Sequence, residues 1–319
     1  MFIFQSNYFL ILCKYMMILG ILFGLNSYSW FSMWMSMEIM LMSFIPCLIM
    51  KKSVSESYST LKYFIFQCLG SSFFILGMME FFLFEFMILG LFIKLGFFPN
   101  HFWVISISKH MNWFNFFLLM TIQKILPLWF LVNFFYKKMF FFFILILLNS
   151  IVGNLGSLNQ MDLRVLLVFS SMNHMTWMLF TSLMNMLYFY FYLISYILMM
   201  MLLCFFFFNN NIFYLYQLFY LADLMLKYKV SFLSLIFLSF LGFPPLLGFF
   251  LKFVSIMSFN YIFLSIWIFI MLMMNLFLSF SYLRVFLFLY MKFFRSVLYF
   301  NSLSFNFFSL IFLFIVLVF

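Results

Sequence analysis

The chain has 319 residues, of which 69% are hydrophobic and 7% charged, with a formal net charge of +10. Soluble domains carry about 25% charged residues, so this composition excludes a water-facing globular surface and defines a polytopic membrane protein. The apolar residues recur in runs of about 20, the length that crosses roughly 30 Å of hydrocarbon as a helix. Lipid gives backbone groups no partner, so spans are helices or closed barrels. Barrel strands alternate polar and apolar over about 10 residues. These runs do not, and the expected fold is an all-α transmembrane bundle, one domain over residues 1–319.

In chain order the runs predict about eleven spans. They are Tyr8 to Leu25, Trp30 to Met50, Leu61 to Met79, Phe81 to Ile107, Trp113 to Phe135 and Met139 to Leu155. Then follow Leu163 to Leu183, Leu187 to Phe208, Val230 to Phe253, Tyr261 to Leu289 and Phe305 to Phe319. The fourth and tenth are long enough to tilt or bend. With the N-terminus on side one, side-one loops carry Lys51, Lys52, Lys62, Lys109, Arg164, Lys227, Lys229, Lys292 and Arg295. Side two keeps Lys137 and Lys138. Basic residues stay on the cytoplasmic or matrix face, so side one is that face. The same rule accounts for the positive charge without nucleic acid, since no basic patch sits on a soluble domain.

Other features are compositional. The chain has 61 Phe and 30 Met, while Ala222 is the only alanine. That bias fits an AT-rich organellar or symbiont genome, because lipid favours small residues where helices pack. Cys13, Cys47, Cys68 and Cys204 are isolated, without the spacing of a zinc or iron–sulfur site, and read as apolar fillers. The first apolar run continues at spanning length, unlike a cleavable signal.

Charges inside the hydrocarbon are the informative residues. A lysine there costs about 2.5–3.5 kcal/mol on insertion scales. Lys94 precedes Pro99 and Lys124 precedes Pro127 within one stretch, Phe81 to Val132. Each pairs a buried charge with a helix breaker, which suggests a route for charge. Phe243-Pro244-Pro245 interrupts the ninth span, where two prolines remove two helical hydrogen bonds. The pair reads either as a packing kink or as a broken helix lining a cavity. Lys252 follows by about two turns. Glu38 sits near the middle of the second span; alone it would be neutral, and beside a lysine it ionises. Glu80 and Glu85 read as interfacial, and Lys14 as snorkelling to the headgroups. His101 and His174 titrate near neutral pH and read either as proton carriers or as hydrogen-bonded packing residues. Nothing resembles a nucleophile–base set or a metal-ligand cluster, and Gly153-Asn154-Leu155-Gly156 has no strand before it to make a nucleotide loop.

Several ordered motifs carry a resemblance. They are Trp30 to Pro46 around Glu38, then Leu61-Lys62-Tyr63-Phe64, then Lys94 through Pro99 and His101 to Val104, then Gln123-Lys124-Ile125-Leu126-Pro127. Gly156 to Gln160 leads into Ser170 to Trp177, and Leu241 to Lys252 reads G-x-P-P-x-x-G-F-x-x-K. On these motifs the chain resembles the subunit 2 family of mitochondrial NADH:ubiquinone oxidoreductase (complex I), antiporter-like subunits of its membrane arm. The resemblance implies a proton-translocating subunit of the mitochondrial inner membrane with its N-terminus in the matrix. It implies Glu38 and Lys94 as the interacting pair near proton uptake, Lys124 as the central relay and Lys252 as the terminal lysine. His101, His174, Pro127, Pro244 and Pro245 would support them. A chain of waters would link the row, and quinone reduction in other subunits would drive pumping. It implies no cofactor in this chain. The expected partners are other membrane-arm subunits and the lipid bilayer, with cardiolipin a candidate lipid. About eleven spans resemble the shortened animal form, which lacks three N-terminal helices of bacterial relatives. One departure is Ile105-Ser106-Ile107-Ser108 after Val104, where the family commonly has Pro and an acidic residue. A freestanding cation/proton antiporter, or a structural module whose lysines are idle, are the competing readings.

Overall fold

The computed structural model describes residues 2–49, 54–79, 84–134, 139–183, 185–218, 227–244, 246–257 and 262–298. Apart from one bridging pair, Asp162 with Tyr214, its regular structure is helical. The helices are α1 (Phe2–Leu25), α2 (Trp30–Leu48), α3 (Val54–Met79), α4 (Phe84–Leu95), α5 (Phe102–Ser108), α6 (Trp113–Met120) and α7 (Ile122–Phe134). They continue as α8 (Met139–Gly156), α9 (Leu163–Ser182), α10 (Met186–Asn210), α11 (Lys227–Leu241), α12 (Leu247–Met257) and α13 (Ile262–Leu298).

Among the described residues six helices are long and apolar enough to cross a membrane, which makes this a multi-pass membrane protein. The other expected spans are not among the six, for distinct reasons, and the sixth keeps only a shorter apolar stretch, Phe143–Gly156. The fourth breaks into α4 and α5, and the ninth into α11 and α12. The seventh, α9, carries too many polar side chains. The eleventh, Phe305 to Phe319, lies outside the described residues, as do Glu80 and Pro245. The tenth does not break: α13 runs 37 residues, which at 1.5 Å per residue is about 55 Å.

All 20 residues of α9 are buried. A helix polar around much of its circumference cannot face lipid. Arg164, Ser170, Ser171, Asn173, His174 and Thr176 therefore place α9 at the centre, with α5, α8, α10 and α12 among the helices packed on it. Lipid supplies no hydrophobic force between helices, so close approach depends on small residues. A Cβ at Gly90 would stand 2.5 Å from the Gly70 carbonyl oxygen, so α3 and α4 cross backbone to backbone. Gly153 and Gly156 let α8 settle on Phe169 of α9 in the same way.

Arg164, at the start of α9, donates to the Met111 carbonyl at 2.7 Å and lies 4.6 Å from the centre of the Phe213 ring. Trp113 Nε1 donates to the Ile212 carbonyl at 2.8 Å. These contacts bring the α5–α6 loop, the start of α9 and the residues after α10 to one end of the bundle.

Candidate functional site

Three helix interruptions build the site. The first follows α4. Gly96, at φ +73°, takes the left-handed conformation that glycine adopts without a Cβ clash. Gly96 N–H donates to the Ile93 carbonyl and Phe97 N–H to the Phe92 carbonyl, the paired bonds of a Schellman ending. The second break repeats this design. Gly242 is at φ +83°, Gly242 N–H donates to Ser239 and Phe243 N–H to Leu238. Both breaks read Leu-Gly-Phe with a proline close behind: Leu95-Gly96-Phe97 and Leu241-Gly242-Phe243. The third interruption has neither glycine nor proline. Thr121 Oγ1 donates back to the Phe117 carbonyl at 2.7 Å, a side-chain bond that competes with the helix and bends it, separating α6 from α7.

Each break leaves backbone groups that lipid cannot satisfy, and protein supplies the partners. Trp103 Nε1 donates to the Ile93 carbonyl at 3.0 Å, and Gln67 Nε2 to the Lys94 carbonyl at 3.2 Å. Asn149 of α8 accepts from Phe98 N–H at 3.1 Å and donates to the Met172 carbonyl at 3.1 Å. One asparagine thereby ties the first break to α9.

The lysines stand at these breaks. Lys94, one residue before the end of α4, places Nζ 3.6 Å from Glu38 Oε1 on α2, with only 2% of the lysine side chain exposed. That is longer than the roughly 2.7–2.9 Å of a charge-assisted hydrogen bond, so the charges face each other without being locked. A small cavity opens beside them, lined by Met37, Tyr63, Gln67, Lys94, Gln123 and Pro127, with room for about one water molecule. Tyr63 donates to Gln123 Oε1 at 3.2 Å, and Gln123 Nε2 donates to the Met40 carbonyl at 3.3 Å.

Lys124 follows Gln123 on α7 and turns to the other side. Its Nζ donates to Ser171 Oγ at 3.0 Å and lies 3.3 Å from Met120 Sδ. A second cavity of similar size lies against Lys124, Thr121, Met175, Leu193 and Tyr196. One turn beyond Ser171 on α9, His174 sits with Nδ1 3.0 Å from the Tyr192 hydroxyl and its ring against Tyr196 and Phe240. His174 is within electrostatic range of Lys252. Lys252 itself is buried, and its Nζ donates at 3.0 Å to the Leu241 carbonyl, the last of α11. The cation thus caps the negative end of a broken helix.

Among the residues singled out from sequence, Glu38 and Lys94 meet directly, and Lys124 bonds Ser171 on the face of α9 that also carries His174. Pro127 lines the first cavity inside α7. Pro244 lies in the second break, where the helix stops at Leu241 and restarts at Leu247. His101 stands apart: it lies in the α4–α5 turn with Nδ1 3.2 Å from the Pro99 carbonyl, between Phe98 and Phe102. The Lys14 ammonium sits 4.4 Å from the centre of the Phe114 ring. Glu85 is exposed. Sequence reasoning gave no role to Gln123, Ser171 and Tyr63, though they fall within its motifs, nor to Tyr192 and Asn149. Ser171 was within reach, since it lies three residues before His174 and so on the same helix face. The tyrosines and Asn149 act across helices and leave no local signal. Among the described residues no group of three or more His, Cys, Asp and Glu gathers as a metal site.

A helical membrane protein with broken helices and buried cations defines a class, and the sequence relatives agree. The family described as "NADH:quinone oxidoreductase/Mrp antiporter, TM" matches residues 27–85 and 78–281. The chain belongs to that family. It is 35% identical over 270 residues to NADH-ubiquinone oxidoreductase chain 2 of Anopheles gambiae, covering 80% of this chain and 76% of that protein. To the protein of the same name from Aedes aegypti it is 37% identical over 298 residues, covering 86% and 84% respectively. Its fold is similar to a chain of respiratory complex I from Thermus thermophilus, with a TM-score of 0.78 and 21% identity over 88% of this chain and 70% of that one.

Proposed function

We propose that this chain is a core membrane-arm subunit of the respiratory NADH:ubiquinone oxidoreductase, embedded in the mitochondrial inner membrane. It translocates protons through Glu38, Lys94, Lys124 and Lys252, coupled to electron transfer from NADH to ubiquinone in other subunits. It is part of an H+-translocating enzyme, and no redox chemistry or cofactor is assigned to it. The whole chain acts as one antiporter-like domain, held by neighbouring membrane-arm subunits and by lipid, cardiolipin included. The excess of basic residues in the side-one loops supports a matrix N-terminus.

The observation that carries this reading is the buried ion pair of Glu38 with Lys94, set at one helix break, with further buried lysines at the other two. A purely structural bundle gains nothing from lysines kept at such cost. At the breaks each cation meets a partner that can change: a carboxylate, a serine hydroxyl and a helix-end carbonyl. A proton leaving one lysine alters the field at the next, which lets charge move stepwise along the row.

The family also includes Mrp antiporters, so a freestanding cation/proton antiporter is the second reading. A native gel separates the two. The complex-subunit reading predicts co-migration with NADH dehydrogenase activity, and a free antiporter runs without it. Within the assembled complex, Glu38→Gln lowers proton translocation while assembly persists. Unchanged translocation in that variant contradicts the proposed role of the pair.

A further inference from the structure

A second set of buried polar groups lies off the charged row, where α8, α9 and α13 meet. Asn154 Nδ2 donates to Asn173 Oδ1 at 3.5 Å, and Asn173 Nδ2 donates to Asn275 Oδ1 at 2.6 Å. Asn154 and Asn173 are 0% and 1% exposed. The line is unfinished at both ends: Asn154 Oδ1 and Asn275 Nδ2 have no hydrogen-bond partner among the described residues. Leaving such a group unsatisfied costs about 1–3 kcal/mol, and buried amides are normally completed by protein or water. One end offers an acceptor and the other a donor, and water, which both donates and accepts, suits both ends.

Position gives the line its meaning. Asn173 and His174 are neighbours on α9, but successive residues point about 100° apart. His174 faces Tyr192 on α10, while Asn173 faces α8 and α13. From Asn154, α8 runs two residues to its end at Gly156 and the turn at Gln160, whose carbonyl accepts from Arg284 of α13 at 2.7 Å. That turn leads to Asp162 and Arg164, at the end of the bundle where the loops gather. The asparagines therefore lie at the level of His174, with Asn154 six residues along the chain from Gln160 at that end.

We propose that Asn154, Asn173 and Asn275 hold a water-filled branch that exchanges protons between the Gln160 end of the bundle and the charged row near His174. The inference rests on the proton-translocation reading. A proton crosses by successive exchange, each water forming one O–H bond as it gives up another. The asparagines stay neutral and hold the waters in line.

The test compares Asn173→Leu with Asn173→Ser in the assembled complex, reconstituted in sealed vesicles, by protons translocated per NADH oxidised. Leucine fills the volume and removes the amide; serine leaves space and a hydroxyl for water. The branch predicts a severalfold loss with leucine and most of the activity kept with serine. A packing role predicts the opposite order, because serine opens a cavity and leucine fills it; that order, or wild-type translocation in both, overturns the proposal. Asn275→Leu, at a half-buried position, carries the same expectation should Asn173→Leu fail to assemble, and normal translocation in it is equally fatal. Lys124→Ala is run alongside. If Lys124→Ala pumps normally, the proton-translocation reading itself fails. If it is impaired while both leucine variants pump normally, the branch alone fails.

Discussion

The Gly70 crossing sets the distance between Glu38 and Lys94, and Gly70→Ala tests that. A Cβ at position 70 would stand 2.7 Å from Lys94 Cγ and 3.0 Å from the Gly90 carbonyl oxygen. Carbon–carbon contacts sit near 3.5–4.0 Å, so the lysine stem, or α4 with it, retreats by roughly 1 Å. Carried to Nζ, that lengthens the 3.6 Å ion pair to about 4.6 Å. At an effective dielectric of about 20 the attraction falls by about 1 kcal/mol. Since 1.36 kcal/mol is tenfold, that is about fivefold in the balance between paired and separated charges. The assay is proton translocation per NADH oxidised in vesicles, with assembly checked on a native gel. Gly20→Ala is the control, because its new Cβ meets no backbone, only the flexible Met40 side chain at 3.1 Å and Ile39 Cγ2 at an ordinary contact distance of 3.4 Å. Gly70→Ala should reduce translocation, and Gly20→Ala should not. Adding Gly70→Ala to Lys94→Ala should then cost little more, since residues in contact do not act additively. Full translocation by Gly70→Ala, or full additivity with Lys94→Ala, refutes the reasoning.

Other substitutions probe the breaks. Gly242→Ala forces a left-handed residue at about 1–2 kcal/mol and crowds Lys252 Nζ, 3.2 Å from the new Cβ; a thermal shift of the purified complex should show the loss, with translocation reduced. Lys252→Met removes the donor from the Leu241 carbonyl, and translocation should fall further than in Lys252→Arg, which keeps a donor. Asn149→Leu strands Phe98 N–H and takes from the Met172 carbonyl its bond from outside the helix. At about 1–3 kcal/mol for an unsatisfied group, it should lower assembled complex on a native gel more than Asn210→Leu at a helix end.

Much of this was legible from residue chemistry. The apolar runs gave helices, and the second, third and eighth spans lie within a few residues of their helices except where α3 starts early at Val54. Lys94, Lys124, Lys252 and Glu38 stood out because charge in hydrocarbon is costly. The fourth span misled because a length criterion counts apolar residues and is blind to backbone: Gly96-Phe97-Phe98-Pro99 is as apolar as a helix and is a turn. The bend at Thr121 had still less signal, since a threonine bonding back to its own helix resembles any other. The central place of α9 was readable from its polar residues on several faces. The partners of those residues were not: Ser171 against Lys124, Tyr192 against His174 and Asn275 against Asn173 join helices 18 to 102 positions apart.

The central claim is that charge passes along buried lysines at the helix breaks, and Lys124 is the member with a cavity beside it and a hydroxyl partner on the central helix. Protons translocated per NADH oxidised should therefore be measured in the fully assembled complex carrying Lys124→Ala. The account predicts a marked fall while the complex still co-migrates as one species on a native gel. An unchanged ratio in an intact complex would contradict it.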